Sequence, residues 1–217
     1  AAGAVDGACY NAGQSCCAVE RVYVHESLYD EFLSIATTHF DAYTMGDPLN
    51  DKTTLGPMAL KDSTTATLTQ HIADAVAKGG KVLTKVKEPT EVTDNNGHGR
   101  FFPPTLVADC NHNMELMVQE SFGPILGVMP VASDEEAIKL MNSSEYGLTG
   151  GIFTTSHERA LSIGRQLQVG TVYMNRCDAV DPYLPWTGVK NTGKGHSLSE
   201  HGFQAFTQLK SWNMKLQ

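Results

Sequence analysis

The 217-residue chain carries 16 Lys and Arg against 24 Asp and Glu, a formal net charge of −8, which disfavours nucleic acid or an anionic membrane surface as a partner. Its 41% hydrophobic content and nine prolines describe a globular chain able to bury one good core rather than a disordered one. No apolar run approaches the roughly 18 residues of a membrane span, and the first residues lack the basic-then-apolar pattern of a secretion signal.

Taken in order, residues 1–10 are Ala-rich and open without a cap, and they read as the tail of a helix begun earlier in a longer protein. Tyr10 to Ala18 then sets two adjacent cysteines, Cys16 and Cys17, among small residues (Ala12, Gly13, Ser15, Ala18). Core cysteines usually sit among Leu, Ile, Val and Phe, whereas small neighbours leave room beside the sulfur. A thiolate is a strong nucleophile, and a Gly-containing loop can turn backbone N–H groups toward a developing oxyanion. The alternative is a pair of buried structural thiols.

Residues 19–25 alternate as a strand. Ser27 is the expected N-cap of a helix with the apolar stripe Leu28, Phe32, Ile35 and Phe40, closed by turn chemistry at 45–48. A second helix is expected over 60–78, burying Leu68, Ile72, Ala75 and Val76 and ending at Gly79-Gly80. A short strand over 81–84, a polar loop over 88–99 and an extended run over 101–107 follow.

A helical piece at 114–118 leads to the loop 119–124, and the apolar run 125–131 predicts a strand buried on both faces. Ser133 and Ser156 cap predicted helices, and strands are expected at 148–153 and 171–175. Loop chemistry fills 178–195, a short helix is expected over 199–206, and an alternating strand over 207–215. Strands alternating with helices imply βαβ units and a parallel sheet.

The five cysteines are odd in number and lack C-x-x-C spacing, which argues against a disulfide framework or zinc ribbon and for a reducing compartment, the cytoplasm or the mitochondrial matrix. The eight histidines form no H-x-x-x-H pair, so no metal site is assigned.

Three stretches resemble the aldehyde dehydrogenase superfamily. Asn11 to Ala18 is similar to its nucleophile motif, Gly-Gln, any residue, Cys, any residue, then Ala or Gly. The resemblance makes Cys16 the nucleophile and Ser15 and Cys17 its substrate-facing neighbours. The motif's usual aromatic position holds Cys9, with Tyr10 next to it as a substitute. Glu120 to Pro124 is similar to the second signature, Glu-x-Phe-Gly-Pro, which implies that Glu120 binds the nicotinamide ribose hydroxyls and Phe122 packs on the nicotinamide of NAD or NADP. The alternative is an ordinary loop Glu and a core Phe. Gly170 to Asn175 and Pro185 to Gly193 resemble the third element, which places Cys177, Asp178, Val180 and Trp186 along the aldehyde tunnel. Trp186 has the plain alternative of a core residue. Where many members have Gly-Arg-Glu, this chain has Gly195-His196-Ser197, so a proton relay through that Glu is not expected.

The resemblance implies an α/β fold, a parallel-sheet catalytic domain with helices on both faces and a C-terminal oligomerisation strand. It divides the chain into a catalytic domain, 1–195, and a C-terminal helix and strand, 196–217. The family's dinucleotide-binding domain, general-base Glu and oxyanion Asn lie ahead of the nucleophile, so the chain is expected to be the C-terminal catalytic portion of a longer protein and inactive alone. The implied reaction oxidises a small-molecule aldehyde to a carboxylic acid through a Cys16 thiohemiacetal and thioester, in a homo-dimer or tetramer. Alternatives are a noncatalytic assembly domain and a coenzyme A-acylating enzyme.

Overall fold

The apolar run at 125–131 forms the middle of the main sheet. The computed structural model describes residues 1–59, 63–85, 87, 89 and 100–216. In it β4 (Ile125–Val131) pairs in parallel with β1 (Arg21–His25) on one side and β3 (Thr105–Ala108) on the other. A two-residue β2 (Lys81–Val82) closes the far edge antiparallel to β3, giving the order β1-β4-β3-β2. Ile125, Leu126 and Val128 are fully buried, as a central strand between helices requires. Pro130 is exposed and lies beyond residues 125–127, where the β3 ladder ends, so its missing N–H costs no hydrogen bond on that side.

Helices cover the sheet. α1 (Ala2–Cys9) and α2 (Tyr29–Ala42) pack together and against β4, β3 and β1. α3 (Ser63–Ala77) packs on α4 (Glu115–Val118), which lies over β4. Gly127 provides the room there, since a Cβ at that position would sit 2.6 Å from Met117 Sδ. One continuous core joins these layers, with Phe40, Met58, Leu68, Leu106, Met114 and Leu116 fully buried.

Several expectations are corrected. A 3-10 turn at Glu26–Leu28 precedes α2 and is capped by His25, whose Nδ1 accepts the Ser27 N–H at 3.3 Å, while Leu28 stands at the N-cap of α2 without a side-chain cap. The buried stripe then follows Tyr29, Ala36 and Phe40, leaving Leu28 and Ile35 exposed because they lie one position, about 100° of helix, away. In α3 the buried positions are Leu68, His71 and Ala75, and Val76 is exposed for the same reason. The expected helix start at 60–62 and all of the 88–99 loop but residue 89 lie outside the described residues.

The local signals at helix ends hold. Ser133 accepts the Glu136 N–H at the start of α5 (Asp134–Asn142), and Ser156 accepts the Arg159 N–H at the start of α6 (His157–Gly164). Arg159 then binds Asp134 bidentately, at 2.6 Å for each bond, and ties α6 to α5.

β5 (Thr149–Ile152) and β6 (Thr171–Met174) are parallel, but they form their own two-stranded sheet instead of extending the first. β7 (Trp186–Thr187) pairs with β8 (His196–Ser197), so the expected boundary after residue 195 falls between paired strands. Residues 200–206 form a 3-10 helix, and no strand is found over 207–215. That segment pairs with no sheet in this chain, and Leu209, Trp212 and Met214 are exposed.

Candidate active site

After α1 the chain reverses through three successive left-handed residues, Asn11 (φ 50°), Ala12 (φ 55°) and Gly13 (φ 72°). Such a conformation costs a non-glycine residue about 1 kcal/mol or more, so neighbouring contacts must hold it. Asn11 Nδ2 donates to Gln14 O and Gln14 Nε2 donates to Asn11 O, each at 3.0 Å. Gln14 Oε1 also accepts the Ala59 N–H at 2.7 Å, fixing the turn to the loop after Met58. From this turn Cys16 emerges exposed, while Cys17 is buried.

Gly13 is where the first two motifs meet. A Cβ there would lie 2.2 Å from Gly123 O and 2.9 Å from Pro124 N, so the two backbones touch. The loop 119–124 is itself gripped from the nucleophile side. Glu20 Oε2 accepts the Ser121 N–H at 2.8 Å and Oε1 accepts the Phe122 N–H at 3.0 Å. Burial pushes the Glu20 carboxyl above the usual carboxylate range, against the pull of those amides and of Arg21, 3.8 Å away. Arg21 reaches the same loop by donating to Met117 O and Gln119 O.

Beneath it, buried Ser121 meets buried His71, Oγ to Nδ1 at 3.0 Å. A Cβ on Gly123 would lie 2.5 Å from Leu68 Cδ1. Thus supported, Phe122 adopts φ 54° with its side chain part-exposed, and Glu120 is exposed beside it.

The third element arrives from β6. Asn175 (φ 56°) brackets Thr154, accepting its N–H and donating to its carbonyl, both at 2.9 Å. Cys177 donates its S–H to Gly3 O at 3.0 Å, and Tyr173 O–H donates to Ala179 O. Between these anchors Asp178 Oδ1 accepts from Cys17 Sγ at 2.8 Å and Ser15 Oγ at 3.2 Å. Burial first, and the Asp178 hydrogen bond second, push the Cys17 thiol up to about 12. Burial likewise raises the Cys177 thiol.

The structure therefore gathers Ser15, Cys17 and Asp178 around Cys16, with Glu120 and Phe122 on the loop that Gly13 touches. Cys17 presents its thiol to Asp178. Tyr10 and Val180 lie at the surface, 61% and 56% exposed, and Trp186 is half-buried in β7. Glu20, Arg21 and His71 were not anticipated. The one signal available was an adjacent pair of opposite charges, Glu20-Arg21, directly after the small-residue run. Among the described residues, no group of three or more His, Cys, Asp or Glu side chains could hold a metal ion, and no helix is long and apolar enough to cross a membrane.

Fold and site together define an α/β domain built around an exposed thiol on a strained turn. The sequence profile of the aldehyde dehydrogenase family matches residues 1–212, and the chain belongs to that family. It is similar to aldehyde dehydrogenase 1A1 of Bos taurus, 33% identical over 210 residues that make up 97% of this chain and 40% of the relative. It is 35% identical over 207 residues to the NADP(+) succinate-semialdehyde dehydrogenase of Deinococcus radiodurans, covering 95% of this chain and 42% of the relative. Among solved structures it resembles betaine aldehyde dehydrogenase of Staphylococcus aureus in complex with NAD+, with a TM-score of 0.85, 28% identity, and coverage of 98% of this chain and 44% of that one. The chain thus spans about two-fifths of the length of the relatives it matches.

Proposed function

We propose that this chain is the nucleophile-bearing catalytic portion of an NAD- or NADP-dependent aldehyde dehydrogenase, with Cys16 as the nucleophile and Glu120 and Phe122 facing the nicotinamide end of the cofactor. The observation that carries the reading is the backbone contact of Gly13 with Gly123 and Pro124, which sets the exposed thiol loop against the Glu120–Phe122 loop.

The residues present fit the cofactor. Glu120 offers an exposed carboxylate suited to a vicinal diol, Phe122 offers a part-exposed ring suited to a flat heterocycle, and Glu20 holds the backbone between them. Bound there, NAD or NADP supplies a hydride acceptor. Cys16 as thiolate adds to the aldehyde carbonyl, with its own backbone N–H available to the oxyanion, and then carries the acyl group as a thioester until water releases the carboxylic acid. Cys17 stays a protonated thiol at neutral pH and leaves the nucleophile's role to its neighbour. The base that activates water, and the rest of the dinucleotide site, belong in this reading to the part of the relatives that this chain does not span. The isolated chain then turns over no aldehyde. Exposed Leu209, Trp212 and Met214 support assembly of the whole protein as a homo-oligomer.

The test is residue-resolved alkylation of the five cysteines across pH, read by peptide mass spectrometry. Cys16, the exposed cysteine, is expected to react first. Cys9 and Cys110, buried and raised to about 12 and about 11, are expected to lag. Equal rates for Cys16 and Cys110 would overturn the assignment.

A further inference from the structure

Asp178 is tied into the nucleophile loop more closely than a tunnel-lining residue needs to be. Its Oδ1 accepts from both neighbours of the exposed cysteine, Ser15 at 3.2 Å and Cys17 at 2.8 Å. Two donors converging on one oxygen are the partners a carboxylate takes, because an ionised carboxylate only accepts. The side chain is held in place from both directions along the chain. Cys177 is fastened to Gly3 of α1, and Ala179 to the hydroxyl of Tyr173. The backbone at Asp178 is itself left-handed, at φ 50°.

Among the described residues the carboxylate forms no ion pair: no Lys, Arg or His stands within ion-pair distance of it. Arg176, two residues earlier, is exposed and pairs with no carboxylate of the described residues. Part-buried and bonded to both chain neighbours of Cys16, Asp178 sets a carboxylate without an ion-pair partner beside the exposed thiol. An aldehyde bearing its own carboxylate or phosphate meets repulsion there, and a neutral or cationic aldehyde does not.

We propose that Asp178 is a specificity-determining residue that excludes anionic aldehydes and selects neutral or cationic ones. The proposal rests on Cys16 being the reactive thiol. It sets this chain apart in substrate class from a relative acting on succinate semialdehyde, which carries a carboxylate.

The experiment needs neither turnover nor cofactor. Iodoacetate and iodoacetamide are nearly the same size and differ by one negative charge, and each alkylates a thiolate with loss of iodide. The ratio of their rates at Cys16, relative to the same ratio at a free cysteine, reports the charge seen by a small electrophile. In the unaltered chain this ratio is expected to be depressed. Asp178→Asn keeps the shape and an acceptor oxygen, and is expected to raise it roughly three- to tenfold at low salt, the scale of one unit charge several Å away in a largely aqueous dielectric. Asp181→Asn makes the same change in net charge at an exposed position and is expected to move the ratio less than about twofold.

A ratio unchanged in Asp178→Asn, with iodoacetamide still modifying Cys16, overturns the charge filter and leaves the nucleophile assignment standing. Failure of iodoacetamide to modify Cys16 even in the unaltered chain overturns both. Should Asp178→Asn not fold, the unaltered chain answers through ionic strength. The ratio is expected to climb severalfold between about 10 mM and about 0.5 M salt, and a flat ratio refutes the filter.

Discussion

Glu20 offers the sharpest test of how the two loops are held together. Its two carboxylate oxygens take the N–H groups of consecutive residues, Ser121 at 2.8 Å and Phe122 at 3.0 Å. Removing them with Glu20→Ala leaves two amides in different circumstances. Ser121 is buried, 3% exposed, so its N–H loses its acceptor without gaining water, at about 1–3 kcal/mol. Phe122 is part-exposed and its N–H can be rehydrated, which holds that loss to about 1 kcal/mol. The combined cost is about 2–4 kcal/mol, concentrated in one loop because Arg21 still donates to Met117 O and Gln119 O.

Amide hydrogen exchange reads this directly. With opening confined to the loop, exchange over residues 120–123 is expected to accelerate roughly 30- to 700-fold, while β4 and α3 stay protected. Glu20→Gln should fall between, because its amide keeps one acceptor oxygen and turns an NH₂ toward the second N–H. Phe122 gives a second signature. Its φ of 54° is a strained state for an aromatic residue, and releasing its amide frees the backbone to relax. Unchanged exchange over 120–123 in a folded Glu20→Ala chain would falsify the view that this carboxylate positions the loop.

Two other outcomes are expected. Gly13→Ala combines a left-handed φ of 72° with a Cβ 2.2 Å from Gly123 O, so urea denaturation should show a loss of about 2–4 kcal/mol, and an unaltered midpoint would show that the loops do not touch. His71 and His112 are both held below their usual 6.5 by burial, so the unfolded chain takes up protons first as the pH falls through that value. Stability is therefore present above about pH 6.5 and declines below it, and the urea midpoint at about pH 5.8 should lie below that at about pH 7.5. A midpoint that rises on acidification would reverse the sign.

What could be read from the sequence was local. Ser133 and Ser156 cap α5 and α6 because a cap needs only an oxygen three residues from a free N–H. The strand at 125–131 announced itself by continuous apolarity, a signal that needs no knowledge of its neighbours. Ser27 is no cap because it lies inside a 3-10 turn that His25 caps two residues earlier, and both patterns lie within the same few residues. Pairing was less legible. β5 and β6 read as strands of the common sheet, yet which edge a strand finds depends on the path of the whole chain. Residues 207–215 read as a strand by their mixed polarity, yet they form none in this chain, because a strand also needs an edge to pair with.

The site divides along the same line. Cys16, Glu120 and Phe122 stood out through short motifs, whereas Glu20 reaches across about a hundred residues to the loop it holds, and Asp178 bonds Cys17 from 161 residues away. Only the fold makes those pairs. Among the nine described non-glycine residues with positive φ, Asn11, Ala12, Phe122, Asn175 and Lys190 lie in the motif stretches and Asp178 lies between two of them, and each of those loops is braced by a long-range contact. Backbone strain persists only where the surroundings over-determine it. The contacts that make this arrangement rigid are thus those that set Cys16 beside the loop of Glu120 and Phe122, and side-chain changes far from the thiol, at Gln14, Glu20 or Asn175, are expected to act on it through the turns they brace.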